Sequence, residues 1–200
     1  MKKRIKYVLV SIIAILFCFL YAHVDKTHNI YDANTDSSLY SMVILEKESF
    51  VSQSFKCVEK DLTGISIKLI TNNVSKEGKL IYKLNDADGK EILKSKVALE
   101  ELKSGRINKI KFDRKIQECK NNWYTISFSV SDLKPDENVQ VYYDSHGEKK
   151  GELFIGEQSA EGTIILRTLT HRFDLETFIV TICFIIYFAV FFRILYKLFS

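Results

Sequence analysis

The side chains of this 200-residue chain that could do chemistry are scattered rather than grouped. His23, His28, His146 and His171 have no second ligand at metal-binding spacing. No Gly-x-Ser-x-Gly turn marks a serine nucleophile, and neither Cys57 nor Cys119 has a histidine close by in sequence. Glu100-Glu101 is a carboxylate pair on a charged stretch and reads as solvated. A glycosidase needs two acids converging in a cleft, which spacing alone does not supply. Asp86-Ala87-Asp88-Gly89 begins like a calcium loop. However, Leu84 before it holds an inward strand position, and no glutamate closes a twelve-residue loop. It reads instead as a hairpin in which Asp88-Gly89 supplies the positive φ of a tight turn. The chain is therefore read as non-catalytic, with no metal and no cofactor.

Three groups of residues remain. The pairs Trp123-Tyr124 and Tyr142-Tyr143 place adjacent aromatics on opposite faces of a strand, so one of each pair points away from a core. An outward Trp123 or Tyr142 could pack its ring on the C–H face of a sugar; core filling is the competing reading. Ala14, Cys18 and Ala22 recur every four residues, a small-residue line that lets another helix approach closely. Cys18 and Cys183 lie in apolar runs, whereas Cys57 and Cys119 lie between them, where an oxidising compartment would reach only the second pair.

The elements that must position these residues are set by two apolar runs. Residues 7–22 carry no charge and are preceded by Lys2, Lys3, Arg4 and Lys6. With His23 and Val24 the run rises roughly 27 Å as a helix, close to the roughly 30 Å of bilayer hydrocarbon. Leu20 is bulky where signal peptidase prefers a small residue, which favours an uncleaved anchor over a signal peptide. Residues 178–196 form a second span, with Arg193 one turn from its end. Basic residues at both ends, including Lys197, make both termini cytoplasmic. Between the runs the chain has 23 basic and 25 acidic residues. The excess positive charge thus belongs to the tails and not to a nucleic-acid surface. The expected organisation is a tail at 1–6, transmembrane helix 1 at 7–24 and a polar linker at 25–38. An extracytoplasmic domain at 39–172, transmembrane helix 2 at 175–196 and a tail at 197–200 follow.

The middle reads as strands. Residues 124–130 alternate strictly, apolar on one face and mostly hydroxyl on the other. Similar alternation at Ile65-Ile67-Leu69, Leu80-Tyr82-Leu84, Ile110-Phe112 and Val139-Val141-Tyr143 is separated by turn signals. Shorter segments at Leu153-Ile155 and Ile164-Leu166 end the series. The pattern predicts a mainly β fold: an antiparallel β-sandwich, jelly-roll-like, between two transmembrane helices. One short helical stretch is expected near 97–103. If each connection reverses direction, the strands near 64–70, 79–85, 91–97 and 106–112 bring Cys119 to the same end of the sandwich as Cys57. The pair is then a candidate disulfide. Cys57 also shares the parity of Val51 and Phe55, which reads as a buried free thiol, and both readings stand at this level.

The order Gln53-x-Phe55, Leu62-x-Gly64-Ile65, Gly78-x-Leu80-x-Tyr82-x-Leu84-x-Asp86-x-x-Gly89, Ile110-x-Phe112 and Tyr124-x-Ile126 continues to Gly151-x-Leu153-x-x-Gly156-x-x-x-x-Gly162 and Arg167. Over residues 48–170 it resembles the β-sandwich ectodomain found beside transmembrane helices in bacterial envelope proteins, including some membrane glycosyltransferases for surface polysaccharide. The resemblance implies an accessory domain in surface-glycan assembly that binds a glycan or a membrane partner such as a glycosyltransferase or flippase. The multi-span catalytic part of those enzymes is missing from this sequence. The expected partners also include the lipid bilayer and a second copy through the membrane helices. The alternatives are a polysaccharide co-polymerase-like chain-length regulator, whose ectodomain would be helical, and an envelope glycan-modifying enzyme.

Overall fold

The computed structural model describes residues 2–148 and 150–199, without the side chains of Lys2, Lys3, Arg4 and Tyr7. The N-terminal charges at Lys2, Lys3 and Arg4, on which the expected orientation rests, therefore lie outside the described side chains. Two compact units form, Thr27–Thr170 and, separately, residues 1–26 with 171–200.

The larger unit is built from strands β1 (His23–Asn29), β2 (Ser41–Leu45), β3 (Phe50–Lys56), β4 (Leu62–Asn72), β5 (Lys79–Asp86), β6 (Glu91–Ala98) and β7 (Arg106–Ile116). Strands β8 (Trp123–Ser131), β9 (Asn138–Asp144), β10 (Leu153–Ile155), β11 (Gln158–Ala160), β12 (Thr163–Ile164) and β13 (Leu166–Phe173) complete it. They form two sheets. The first runs β1-β13-β4-β9-β12, with β7 on the other edge of β4 and β2 on β9; the second runs β11-β10-β3-β8-β5-β6. The pairs β3–β8, β5–β8, β5–β6, β4–β7 and β4–β9 are antiparallel. The protein is a mainly β, two-sheet antiparallel sandwich.

Period-two alternation makes this core. Along β8 Tyr124, Ile126, Phe128 and Val130 are buried while the residues between them are not. Val51 and Phe55 of β3, Leu80, Tyr82 and Leu84 of β5, and Ile65, Ile67 and Leu69 of β4 fill the same space. Edge strand β7 carries Arg106, Lys109, Lys111 and Arg114, charges that blunt edge-to-edge pairing. The β5–β6 turn is the hairpin read from the sequence. Asp86 Oδ1 accepts the Asp88 and Lys90 amides at 3.1 and 2.9 Å, and Gly89 has φ +80°. The expected helical stretch is one 3-10 turn, Leu99–Glu101.

Two expectations are corrected. The segment read as a linker at 25–38 begins inside β1, and Ile30 and Tyr31 are buried. Polar composition hid a strand that pairs through its backbone with β13. The first helix, α1 (Lys2–Tyr21), stops before residue 24, because His23 and Val24 already belong to β1.

In the smaller unit α1 meets α2 (Leu175–Phe199). Among the described residues α2 alone is long and apolar enough to cross a membrane, and α1 offers the shorter apolar segment Val8–Tyr21. Fourteen residues rise only about 21 Å. The pair of spans expected from the sequence is thus met by one helix of sufficient length. Asp174 caps α2: its Oδ2 accepts the Thr177 amide at 3.1 Å and lies 3.0 Å from Lys26 Nζ. Together these hold its carboxyl at about 2, with the Thr177 hydroxyl the largest cause. Of the small-residue line, Cys18 is 1% and Ala22 0% exposed, whereas Ala14 is half-buried. Ser11, Ala14 and Cys18 face Ile182, Ile185 and Ala189 across an apolar crevice between the helices.

Candidate functional site

The outward residues of the second sheet make the candidate site. With the apolar side chains of β8 turned inward, Trp123, Thr125, Ser127, Ser129 and Ser131 form a line on the outer face. Cross-strand register extends it sideways. Ser52 of β3 is opposite Ser127, Lys83 of β5 is opposite Ser127 on the other side, and Lys94 of β6 is opposite Lys83. Thr125 lies between Ser54 and Asn85 in the same way. The result is a row of hydroxyls with serines on its β3 side and lysines on its β5–β6 side.

This face is concave. An open groove of about 670 Å³ is lined by Ser52, Thr125, Ser127 and Ser129, by Lys83 and Asn85, and at its rim by Phe50, Lys47 and Asp132. Hydroxyls, an amide and ammonium groups offer donors and acceptors on a rigid sheet, which suits a polyhydroxylated ligand better than an apolar one. At the far end of β8 Trp123 is 46% exposed. It borders a second depression of about 290 Å³ with Asp86, Asp88, Asn121 and Asn122. The exposed Trp123 indole thus stands beside carboxylates and amides.

Tyr142 is elsewhere. It lies on β9 of the first sheet, so the structure does not bring it to Trp123. Lys68 Nζ sits 4.5 Å from the Tyr142 ring centroid and 5.4 Å from that of Tyr40. Arg167 donates to the Tyr31 hydroxyl at 2.8 Å, and Tyr31 meets Tyr40 edge to face. Burial, with Tyr31 beside it, pushes the Tyr40 hydroxyl up. Tyr142 thus takes part in a tyrosine–cation cluster that packs the 30–40 segment, and one face of its ring is already covered by Lys68.

Cys57 and Cys119 are brought together. Both are buried, at 1% and 0% exposure, as free thiols, and each is the largest influence on the other's ionisation. Among the described residues no group of three or more His, Cys, Asp or Glu side chains could hold a metal ion. The lysines and serines of the groove escaped the sequence reading because they come from three strands whose register only the sheet sets. The hydroxyl alternation of β8 was the signal available.

No protein-family model and no curated protein sequence matches the chain. Among solved structures it is similar to the VP2 subviral particle of infectious bursal disease virus, at 14% identity and a TM-score of 0.30, over 73% of this chain and 39% of that one. It is also similar to a structure of the Gt strain of the same virus, at 12% identity and a TM-score of 0.32, over 80% of this chain and 49% of that one. The chain spans less than half the length of either.

Proposed function

We propose that this is a membrane-anchored, non-catalytic protein of the bacterial envelope whose extracytoplasmic sandwich binds a glycan during surface polysaccharide assembly. The observation that carries the reading is the outer face of the second sheet: a concave row of hydroxyls with lysines on its β5–β6 side and, bordering a separate depression at its end, exposed Trp123. In this reading the sandwich is jelly-roll-like. Support comes from the way successive strands β3, β4 and β5 alternate between the sheets while β8 returns between β3 and β5. Both helices span, and both termini are cytoplasmic. Buried Cys18 of α1, which faces Ile182 and Ile185, supports α1 as a membrane companion of α2. A glycosyltransferase or flippase is the partner class that would hand the glycan over. The strand-built domain favours this reading over the helix-rich co-polymerase.

The test is binding of purified surface-glycan fragments to the full chain in detergent, compared with Trp123→Ala. Saturable binding weakened about tenfold by the substitution, equivalent to ~1.4 kcal/mol, is expected. Absence of saturable binding, or equal binding by the variant, refutes the site. A reporter active only outside the cytosol, inserted at His146, should be active; cytosolic activity there refutes the topology.

A further inference from the structure

The glycan reading makes no use of the buried thiol pair. Cys57 directly follows β3 of the second sheet, and Cys119 lies in the 117–122 connection between β7 of the first sheet and β8 of the second. The backbone holds them in place. The Cys57 amide donates to Asn122 O at 2.9 Å, the Asn121 amide to Cys57 O at 2.7 Å, and the Cys119 amide to Lys60 O at 2.7 Å. Glu118 and Asn121 adopt positive φ, 55° and 68°, to make the tight return that aims Cys119 inward. Each thiol donates to a nearby backbone carbonyl. Glu59 O is 3.4 Å from Cys57 Sγ and Ile116 O is 3.2 Å from Cys119 Sγ.

We propose that Cys57 and Cys119 are an oxidisable pair that closes a disulfide between the two sheets of the sandwich, with a low-molecular-weight disulfide as the oxidant. Both sulfurs are buried in the closed fold, so an oxidant reaches them only when the fold opens locally. The two thiols are not equivalent. The Cys57 thiol beside Cys119 holds Cys119 below the usual thiol range, and the Tyr124 hydroxyl adds to this; burial and the Asp61 carboxylate work the other way. Cys57 is pushed up, first by Cys119 and then by burial. Cys119 lies on the 117–122 turn, between the exposed Glu118 and Lys120, and is the sulfur that attacks first. Its thiolate, the proton lost to solvent, displaces one thiolate from the oxidant and forms a mixed disulfide. Cys57, deprotonated in turn, attacks the Cys119 sulfur and expels the second thiolate. Two protein thiols and one small disulfide become one protein disulfide and two small thiols. Access comes from local opening of the 117–122 turn, whose flanking residues Glu118, Lys120 and Asn121 are exposed. This proposal is independent of what the groove binds.

The experiment uses the full chain in detergent. The protein is equilibrated in a glutathione redox buffer with sub-denaturing urea, so that the turn opens and recloses, then acid-quenched, denatured, alkylated and peptide-mapped. The expected result is a Cys57–Cys119 cross-linked peptide, two hydrogens lighter than the dithiol, while Cys18 and Cys183 are not joined to either. Closing a loop of about 60 residues should raise the melting temperature of the sandwich by about 10 °C, an increase that Cys57→Ser and Cys119→Ser fail to show. Recovery of both cysteines alkylated, or as separate glutathione adducts, overturns the proposal whatever the variants do.

Discussion

Gln53 offers the sharpest test of how the two sheets are joined. It occupies the inward parity of β3 between Val51 and Phe55 and is 0% exposed. Its Oε1 accepts the Ile164 amide of β12, in the opposite sheet, at 3.1 Å, and its Nε2 donates to Ser54 O at 3.0 Å. One buried amide therefore ties sheet to sheet through an apolar core. Replacing it with leucine keeps the volume, leaves the Ile164 N–H without a partner and removes a second hydrogen bond. An orphaned buried donor costs about 1–3 kcal/mol and a lost hydrogen bond about 1 kcal/mol. The greater apolarity of leucine returns about 1–2 kcal/mol. The net destabilisation is about 1–2 kcal/mol, or a fall in melting temperature of about 4–6 °C for a unit of this size. Thermal unfolding of the full chain in detergent, followed by circular dichroism of the β band, measures it. Gln53→Glu adds a second arm. The carboxylate keeps the acceptor for Ile164 but loses the donor, and burial raises its folded pKa above the unfolded value of about 4.3. Folding then takes up a proton, so the deficit relative to wild type is smallest below pH ~4 and grows as pH rises through the folded pKa. A Gln53→Leu melting temperature equal to or above wild type, with a Gln53→Glu deficit that does not change with pH, refutes the tie.

Ala14→Leu with Cys18→Leu should separate α1 from α2, because the added branches fill the crevice against Ile182 and Ile185; unchanged cross-linking between the helices would count against that face. Gly64→Ala should cost about 1–3 kcal/mol in urea unfolding, since a Cβ there would lie 2.4 Å from Ile110 O at the β4–β7 irregularity; an unchanged midpoint would mean the strands separate freely. Asp174→Ala should lower the hydrogen-exchange protection of the Thr177 amide and fray the start of α2. In wild type the same cap is present above the unfolded carboxyl pKa of about 4 and is lost as pH falls through about 2, so protection that persists in its full extent below that point would contradict it.

Local patterning determined much of this protein. The alternation of β8 names its buried and exposed residues one by one, because the pleat has a period of two whatever the neighbours are. Asp88-Gly89 makes its hairpin from the freedom of one glycine, and the apolar run that became Leu175–Phe199 states its own length. Gln53 was equally legible as a polar residue at inward parity. What it bonds to was not, since Ile164 is 111 residues away. The same limit explains the rest. His23–Asn29 has the composition of a linker and becomes a strand only because β13 offers it a backbone edge. Counting reversals put Cys57 and Cys119 at one end of the sandwich, but only the backbone hydrogen bonds of the 117–122 turn to Cys57 and Lys60 hold the two segments side by side. Trp123 and Tyr142 both point outward, as their parity requires. That they serve opposite sheets, one beside a depression lined by Asp86 and Asn121 and the other under Lys68, follows from strand order, which is fixed by long-range pairing and leaves no trace in local periodicity.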